Sequence, residues 1–380
     1  MKKLIYITNI RMPTEKAHGI QIMKMCEAFA TAGLKVELIV PWRFNKIKEN
    51  PFDYYGVKKS FRIKKLPSLD LMPLGLPKIG FWIQNWSFAK PAFFYALFKK
   101  AEIIYTRDIP SLFLLGFFKK NLVYEAHTFP RHFSLYKRLF RKIKAIVVIT
   151  KELKKLFVKN GITPDKILVA PDGVDLDEFN IKESQEECRQ KINLPLDKKI
   201  IGYVGQLKTM GMEKGIGCLI KSLKLLKKNN LSITLCLVGG QESDIADYKK
   251  MADGLNIIFV GQVQHKLVSY YLKSFDVLVM PFSWTKHFAY YMSPLKMFEY
   301  MAAQRPIIAS DLPSIREILN ENNAVLIKPD SPDDLARGIE QLLKKPDFSA
   351  KIAEQAYQDV QKYIWQKRTE KILDFIKWRQ

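Results

Sequence analysis

The stretch YMSPLKMFEYMAAQRPIIASD at Tyr291–Asp311 predicts a helix followed by a strand. The apolar, helix-forming run Leu295–Ala303 comes directly after Ser293 and Pro294, two residues that are typical of a helix start. Pro306 then opens a β-branched segment that predicts a short buried strand. A helix and a strand in alternation are the repeating unit of an α/β fold, and this unit recurs on both sides of the stretch.

The loop before this helix is a candidate anion site. A helix that starts at Ser293, Pro294 and Leu295 gathers free backbone N–H groups and the positive end of the helix dipole there, which favours phosphate. Glu299 lies one turn further along, among apolar neighbours. Its carboxylate either binds a partner or faces solvent on the polar side of an amphipathic helix.

Apolar strands and helical segments alternate along the whole chain. The first half predicts strands and helices at Leu4–Thr8, Gly19–Ala32 (helix), Val36–Val40, Ile103–Thr106, Leu122–Glu125, Ala145–Ile149, Lys151–Asn160 (helix) and Ile167–Val169. The second half predicts strands at Ile200–Val204, Ile233–Val238, Ile257–Val260, Val277–Met280, Ile307–Ala309 and Val325–Ile327. Its helices are predicted at Gly215–Lys228, Ser243–Asp253, His265–Phe275, Pro294–Ala303, Ser314–Leu319 and Asp333–Lys344. We therefore predict an α/β fold with two doubly wound, parallel-sheet (Rossmann-like) domains.

The predicted elements also suggest domain boundaries. We expect a first domain at residues 1–175, a linker without a clear strand at 176–196, and a second domain at 197–362. The last helix, from about Ser349 to Trp378, is long enough to leave the second domain, so residues 363–380 are expected to complete the first. Two such domains facing each other would leave one crevice, which is the expected ligand site.

The net charge of +24 lies mainly in the first half of the chain. Residues 1–180 hold 32 Lys and Arg against 15 Asp and Glu, or +17, which leaves +7 for the remainder. Basic clusters at Lys58–Lys65 and from Arg131 to Lys159 leave several partners open: an anionic membrane surface, a phosphorylated substrate, nucleic acid, or solvent alone. Nucleic acid has the weakest support, because no recognisable reader module accompanies the charge.

Composition also bears on the expected location of the protein. The aromatic segment Phe81–Phe98 is too polar to span a membrane, and it is either an amphipathic interfacial helix or a buried helix. Four scattered cysteines without a CxxC pair indicate neither a disulfide framework nor a zinc site. The N-terminal run MKKLIYITNIRMP is interrupted before a signal-peptide core is complete and predicts a strand. We expect a cytoplasmic protein that rests peripherally on the inner face of the membrane.

Loops that follow predicted strands carry candidate ligand-binding residues. No GxGxxG follows the first strand and GxxxxGK[ST] is absent, which disfavours a dinucleotide dehydrogenase and a P-loop NTPase. Instead, the first loop ends at Gly19, where a glycine would let the backbone approach a ligand. The corresponding loop of the second domain delivers Lys214, which either neutralises a diphosphate or is an exposed lysine. His127 follows the strand that ends at Glu125, and it either binds a sugar hydroxyl or has a structural role.

The segment Asp175-Leu-Asp177 matches a DxD metal motif. It lies in the expected linker rather than between a strand and the crevice, so we assign no metal to it.

Five segments, taken together and in order, resemble the retaining nucleotide-sugar glycosyltransferases of family 4, which have the two-domain GT-B fold. The segments are VYEAHTFP, LVAPDGVDLDEF, GYVGQL with EKG, GQVQHKLVSYYLKSFDVLVMPF and KMFEYMAAQRPIIASDLPSIREIL. The resemblance implies that Glu299 holds the ribose hydroxyls of the donor. It also implies that backbone amides at Ser293–Leu295 bind the diphosphate together with Lys214, and that His127 sits beside the donor sugar.

The resemblance has further implications for binding and mechanism. It places Gly19 close to the diphosphate and the acceptor, and the backbone around Gln262 and Val263 at the base. It implies retention of anomeric configuration, with the leaving diphosphate stabilised by protein groups instead of a metal and no cofactor beyond the nucleotide-sugar substrate. No carboxylate is placed to act as a nucleophile, so we favour front-face attack. The acceptor does not follow from the resemblance: the basic charge and the aromatic segment alone lead us to expect a cell-envelope or lipid-linked glycan.

Two positions depart from the family pattern. Tyr291 stands where the family has the first of two glutamates, and Gln206 stands where it has a phosphate-binding arginine. Lys296 and Arg305 are candidates for the missing positive charge. We predict a hexosyltransferase-type enzyme. The alternatives are a GT-B epimerase or phosphorylase with the same crevice, and a degenerate family member that acts as a binding or scaffold protein.

Overall fold

The computed structural model describes residues 2–71, 77–209, 211–229 and 231–377. These residues form two compact units, the first running up to Asp172 and resuming at Trp365, and the second spanning Gly173–Ile364. Each unit is built on one parallel sheet whose strands alternate with helices. The predicted pair of doubly wound α/β domains is therefore confirmed.

The sheet of the first unit has seven parallel strands within the described residues. They are β1 (Lys3–Ile7), β2 (Lys35–Pro41), β3 (Arg62–Leu66), β4 (Ile103–Thr106), β5 (Leu122–Ala126), β6 (Ala145–Val148) and β7 (Ile167–Val169). Their order across the sheet is β3-β2-β1-β4-β5-β6-β7, so the order reverses between β1 and β4. Such a reversal is where doubly wound sheets bind ligands, at the carboxyl ends of the strands.

The helices that connect these strands are also defined. They are α1 (Ala17–Thr31), α2 (Pro51–Tyr55), α3 (Pro77–Phe98), α4 (Ile109–Leu115), α5 (Phe133–Lys142) and α6 (Lys151–Lys159). Helix α3 covers the aromatic segment predicted as either interfacial or buried, and its side chains differ in exposure. Phe88 and Ala92 are buried, whereas Phe94 and Phe98 are exposed. Within the described residues, no helix combines the length and apolar character needed to cross a membrane.

The sheet of the second unit has six parallel strands within the described residues. Its elements begin with α7 (Leu176–Phe179), α8 (Gln185–Lys191), β8 (Lys199–Val204), the hairpin β9 (Lys208–Thr209) and β10 (Met212–Glu213), α9 (Ile216–Lys228) and β11 (Ile233–Val238). They continue with α10 (Glu242–Met251), β12 (Ile257–Gly261), α11 (Val268–Ser274), β13 (Val277–Met280), α12 (Lys286–Tyr290), α13 (Leu295–Ala302), β14 (Ile307–Ser310), β15 (Val325–Ile327), α14 (Pro332–Lys344) and α15 (Pro346–Val360). The sheet order β12-β11-β8-β13-β14-β15 reverses between β8 and β13.

Alternating side chains of the central strand β8 explain the two cores of this unit. Ile200 and Val204 belong to a cluster that includes residues of α11, α13 and α15. Ile201 and Tyr203 belong to a second cluster that includes residues of α9 and α14. Successive side chains of a strand point to opposite faces, so an entirely apolar strand requires a helical layer on each side.

The segment expected to be a linker is part of the second unit and contains the helices α7 and α8. Ser184 and Glu187 form a capping box that starts α8. Arg189 on this helix is buried, donates to the backbone oxygen of Ser274 at 2.9 Å and pairs with Asp276 at 2.7 Å. These bonds fix the segment to the α11–β13 connection, which strand periodicity in the sequence does not reveal.

The predicted long C-terminal helix is interrupted. After α15 the chain is extended at 363–364, because the Val174 amide donates to the Tyr363 carbonyl at 2.9 Å and Val174 bridges to Ile364. A separate helix, α16 (Trp365–Lys377), then completes the first unit, where it packs on α1. The predicted helix end at Trp378 lies outside the described residues.

The predicted helix at Ser314–Leu319 is also corrected, because the structure has consecutive turns there. The Ser314 amide donates to Ala289 and its hydroxyl donates to Phe288, so these groups are bonded to another segment.

Candidate active site

The carboxyl ends of β8 and β13 bring the candidate residues of the second unit together. Gly205 and Gln206 follow β8, Pro281 and Phe282 follow β13, and all strands of this sheet are parallel, so these loops lie at one edge. Helix α13 starts at this edge, with Pro294 as its N-cap residue. The predicted helix start at Ser293–Leu295 therefore agrees with the structure.

Lys296, in the first turn of α13, is buried although it is a lysine. Its side chain lies over the ring of Tyr203, with Nζ 3.6 Å from the ring centroid. Nζ has no hydrogen-bond partner among the described residues. Burial, followed by the nearby Lys214, lowers the pKa of Lys296 well below its ordinary value. A buried ammonium without a partner is costly, which makes Lys296 a candidate for binding an anion.

Space for this lysine is made by Gly205. The residue has φ of +129°, and a Cβ built on it would lie 2.8 Å from the Lys296 Nζ. Tyr300, four residues after Lys296 and thus on the same helix face, accepts a hydrogen bond from the Val204 amide at 2.8 Å. Together these contacts fix the first turns of α13 against the end of β8.

Lys214 lies between β10 and α9, and its amide donates to the Leu207 carbonyl at 3.2 Å. Burial lowers the pKa of Lys214 to about 8. Burial and then the charge of Lys214 also lower the pKa of His287, on α12. Three basic side chains, Lys214, His287 and Lys296, are thus gathered at this edge, and electrostatic coupling links Lys214 to the other two.

Glu299 is half-buried one turn after Lys296. Burial raises the pKa of its carboxyl, whereas His265 and Lys296 oppose this rise. His265 pairs with Glu178 at 3.2 Å, and it lies just beyond Gln262 and Val263, in the loop that follows β12. The structure therefore brings Glu299 into the electrostatic neighbourhood of the loop expected to hold the base.

The two departures from the family pattern occupy defined positions. Tyr291 is half-buried at the end of α12, next to Tyr290 with ring centroids 6.5 Å apart. Gln206 is half-buried, and its carbonyl accepts from the Tyr203 hydroxyl at 2.8 Å. Arg305, offered as a source of compensating charge, instead donates to the Lys273 carbonyl at 2.9 Å. It precedes β14, at the amino-terminal edge of the sheet, so it cannot take the role expected of it there.

The first unit carries a second polar cluster, around His127. Glu125, the penultimate residue of β5, is buried. Its Oε1 accepts from Gln21 Nε2 at 2.9 Å and from Arg368 Nη2 at 3.0 Å. The same oxygen lies 2.7 Å from His127 Nε2. Tyr105 donates its hydroxyl to the other oxygen, Oε2. Every face of this carboxylate is therefore occupied by a protein donor.

The contacts in this cluster and the burial of its residues shift the pKa values of the carboxylate and of two histidines. Burial alone would raise the pKa of the Glu125 carboxyl, but Arg368 and the bond from His127 hold it well below its usual value. Burial and then Arg107 lower the pKa of His127. Burial, Arg107 and Lys16 lower the pKa of His18 to about 3. Both histidines are consequently neutral at pH 7, and Glu125 is ionised.

Two further predicted positions have structural explanations. Gly19 lies inside α1, where the space for a side chain is filled by the Tyr55 hydroxyl and the Thr14 methyl group. The glycine therefore makes room for Tyr55, and its contact with a ligand stays a prediction. Asp175 is the N-cap of α7 and accepts from the Asp177 amide at 3.2 Å.

One group of potential metal ligands exists within the described residues. It comprises Glu125, His127 and Asp172, whose ligand atoms lie within 4.8 Å of one another. The Arg368 guanidinium is 3.0 Å from Glu125 and 3.9 Å from Asp172, so a protein cation already pairs with both carboxylates. We assign no metal to this cluster.

Sequence reasoning missed the supporting side chains of His127, namely Gln21, Arg107 and Arg368. The available signal was Glu125 itself, an acid within the apolar strand LVYEA, since a buried carboxylate requires partners. The sequence indicates Lys296 as a source of positive charge, but no sequence pattern predicts that its side chain is buried.

Two family models match consecutive parts of the chain. The model described as Glycosyltransferase Family 4 matches residues 19–178, and the model described as Glycosyl transferases group 1 matches residues 184–359. An uncharacterized glycosyltransferase of Methanocaldococcus jannaschii is 29% identical over 228 residues, which are 58% of this chain and 56% of that protein. The matches thus span about half the length of such curated relatives.

Solved structures with the same architecture cover nearly the whole chain. Anabaena HepE in complex with UDP and glucose is 13% identical with a TM-score of 0.73, covering 98% of this chain and 99% of that one. WaaG, a glycosyltransferase involved in lipopolysaccharide biosynthesis, is 17% identical with a TM-score of 0.71, covering 98% and 99%. At these identities the likeness shows the fold, and the GT-B expectation is confirmed.

Proposed function

Because the chain belongs to the glycosyltransferases of family 4 and group 1, we propose that it transfers a sugar from a nucleotide-diphosphate sugar to an acceptor hydroxyl. One observation carries the donor assignment: Lys296 is buried without a hydrogen-bond partner among the described residues, beside Lys214, at the start of α13. A diphosphate would be the anionic partner of both lysines. HepE, which has the same fold, was solved with UDP and glucose.

The proposed donor contacts come from loops and helix starts of the second unit. The diphosphate binds at the start of α13, where it accepts hydrogen bonds from the backbone amides of Ser293 and Leu295 and meets the positive end of the helix dipole. Lys214 and Lys296 bind it as well. Glu299 accepts the ribose hydroxyls. The backbone at Gln262 and Val263 holds the base. Tyr291 contacts the sugar through its ring and hydroxyl, since it has no carboxylate to offer.

The proposed chemistry is transfer with retention and without a metal. The acceptor oxygen forms a bond to the anomeric carbon while the bond from that carbon to the diphosphate oxygen breaks, both on one face of the sugar. The acceptor proton passes to the leaving diphosphate. Lys214 and Lys296 stabilise the negative charge that develops on this leaving group, which is the main protein contribution to the rate. His127 binds a substrate hydroxyl.

Turnover with a panel of purified nucleotide sugars and a lipid-linked acceptor tests this proposal. The wild type is expected to transfer one sugar with retained configuration, in the presence of a chelator. Lys214→Met should lose most of the activity, whereas Lys351→Met, a change at an exposed lysine of α15, should not. An inverted product would contradict the mechanism. Failure to bind any nucleotide sugar in calorimetry would instead indicate a scaffold protein.

For the acceptor, we propose a glycan carried on an anionic membrane that the first unit contacts directly. Phe98 on α3 is 80% exposed, Phe117 after α4 is 69% exposed and Leu135 on α5 is 72% exposed. These elements are in mutual contact, since Phe93 packs on Phe118 at 5.4 Å and Phe113 packs on Tyr136 at 5.9 Å between ring centroids.

Two lysine pairs flank this apolar surface. They are Lys99-Lys100 at the end of α3 and Lys119-Lys120 after α4. Exposed aromatic rings beside lysines are typical of surfaces that insert into the headgroup region of anionic bilayers. WaaG, which shares the fold, is described as acting in lipopolysaccharide biosynthesis.

Sedimentation with phosphatidylglycerol vesicles tests this contact. The double variant Phe98→Ser and Phe117→Ser should abolish co-sedimentation, whereas Leu196→Ser, at an exposed apolar residue of the second unit, should not. Rising salt should weaken binding, because it screens the lysines. Equal binding of the double variant and the wild type would contradict the assignment of this surface.

A further inference from the structure

Arg368 on α16 and Glu125 on β5 form an ion pair that is buried next to His127. Arg368 Nη2 is 3.0 Å from Glu125 Oε1, and both side chains are at most 3% exposed. Three donors converge on this single oxygen, from Arg368, Gln21 and His127. An ionised carboxylate accepts hydrogen bonds only, so the His127 nitrogen that faces it carries a hydrogen.

Arg368 is itself held in one orientation. Its Nε donates to the Pro171 carbonyl at 2.8 Å, and Nη2 also donates to the Ala170 carbonyl at 3.2 Å. Both carbonyls belong to the segment that directly follows β7. The guanidinium is therefore fixed by backbone, and it fixes Glu125 in turn, although it comes from the last described helix of the chain.

The other ring nitrogen of His127 is available to a ligand. Nδ1 has no hydrogen-bond partner among the described residues, and the side chain is 22% exposed. The charged and titratable groups that act on the ring are Glu125 from β5, Arg107 from the loop after β4 and Asp172 from the segment after β7. His18 on α1 is coupled to the ring as well. Burial and Arg107 lower the pKa of His127, so the ring is neutral near pH 7 and Nδ1 has a free lone pair.

We infer that Arg368 and Glu125 are positioning residues that hold His127 with its Nε2 protonated, so that Nδ1 accepts a hydrogen bond from a substrate hydroxyl. The part concerning the hydroxyl rests on the proposed function. The tautomer and its control by Arg368 do not depend on it. His127 therefore recognises a hydroxyl as a donor, and the C-terminal helix contributes to the site without touching the substrate.

Nitrogen NMR of the histidine side chains in the full-length protein tests the tautomer. The signals of His127 are identified by their loss in His127→Gln, and His132→Gln, at an exposed histidine, is the control. The wild type should show protonated Nε2 and unprotonated Nδ1. In Glu125→Gln the pKa of His127 should fall, because the carboxylate favours the imidazolium. In Arg368→Gln it should rise, because Glu125 then lacks its other cation.

Kinetics provide the second readout. Glu125→Gln and Arg368→Gln should each lower kcat by about tenfold to a hundredfold through misplacement of His127, and Arg368→Lys should recover part of this loss. A protonated Nδ1 in the wild type, or an unchanged pKa of His127 in folded Arg368→Gln, would overturn the inference. If Arg368→Gln does not fold, Arg368→Lys and Glu125→Gln decide the same question. If the wild type transfers no sugar, the proposed function fails, while the NMR result still decides this inference.

Discussion

Glu125 in the first unit and Lys296 in the second unit are both nearly inaccessible to solvent, with 1% and 9% exposure, but their surroundings differ. Glu125 accepts from Gln21, Arg368, His127 and Tyr105, whereas Nζ of Lys296 has no hydrogen-bond partner among the described residues. The carboxylate is thus fully satisfied within the protein, and the amine is not. On this difference rests our proposal that Glu125 supports the site and that Lys296 binds a ligand.

The difference has an energetic consequence. A buried group that is fully bonded contributes to stability and to the geometry of its neighbours, so its removal damages the fold. A buried amine without a partner costs stability, and evolution retains such a cost where function requires it. Removal of the two charges should therefore change the free energy of unfolding in opposite directions.

The largest expected effect is at Glu125. Glu125→Ala leaves Arg368 buried without its carboxylate, and we expect the free energy of unfolding to fall by about 3–5 kcal/mol. Urea denaturation followed by circular dichroism measures this change. A loss below about 1 kcal/mol would show that the ion pair does not support the first unit.

A smaller effect of opposite sign is expected at Lys296. Lys296→Met keeps the apolar stem and removes the unpartnered amine, so the free energy of unfolding should rise by about 1 kcal/mol. The rise is limited because the contact of Nζ with the Tyr203 ring is lost as well. The same denaturation assay applies, with Lys351→Met as the control for an exposed lysine. A clear decrease in stability would mean that Lys296 has a structural role.

The smallest expected effect is a change of nucleotide-sugar affinity with pH. Because burial lowers the pKa of Lys214 to about 8, this side chain loses its charge between pH 7 and pH 9. Affinity for a nucleotide sugar should fall by up to about tenfold over this range, as the charged fraction drops. Lys214→Arg stays protonated and should remove most of this dependence. Calorimetric titration at the two pH values measures both, and identical pH profiles for the variant and the wild type would contradict the prediction.

The sequence predicted the apolar parts of the fold well and the charged parts poorly. Ile103–Thr106, Ile233–Val238 and Val277–Met280 have the predicted bounds, because a strand buried on both faces has a continuous apolar signal. The edge strand β3 was missed, since RIKKL carries the lysines that protect an exposed edge and resembles a basic surface loop.

The candidate site was predicted in part for a similar reason. The helix start at Ser293–Leu295 follows from local residue chemistry, and the structure confirms its position. Partners that are far apart in sequence could not be predicted. Arg368 lies 243 residues from Glu125, and Arg305 was considered as a phosphate ligand although it lies at the opposite edge of the sheet. Strand order, which the sequence does not reveal, decides which of the loops at one edge are neighbours.

The central claim is that Lys296 is kept buried and unpartnered in order to bind a diphosphate. Calorimetric titration of UDP-glucose, and of UDP as the donor product, into the wild type and into Lys296→Met tests it directly. UDP-glucose is the first choice because the fold is shared with a protein solved with UDP and glucose. Other nucleotide sugars follow if neither ligand binds.

We predict that Lys296→Met weakens binding by about tenfold to a hundredfold, the loss expected for one charge-assisted hydrogen bond, while the protein remains folded. Lys351→Met should bind as the wild type does. Equal affinity of wild type and Lys296→Met for a nucleotide sugar that binds would contradict the claim.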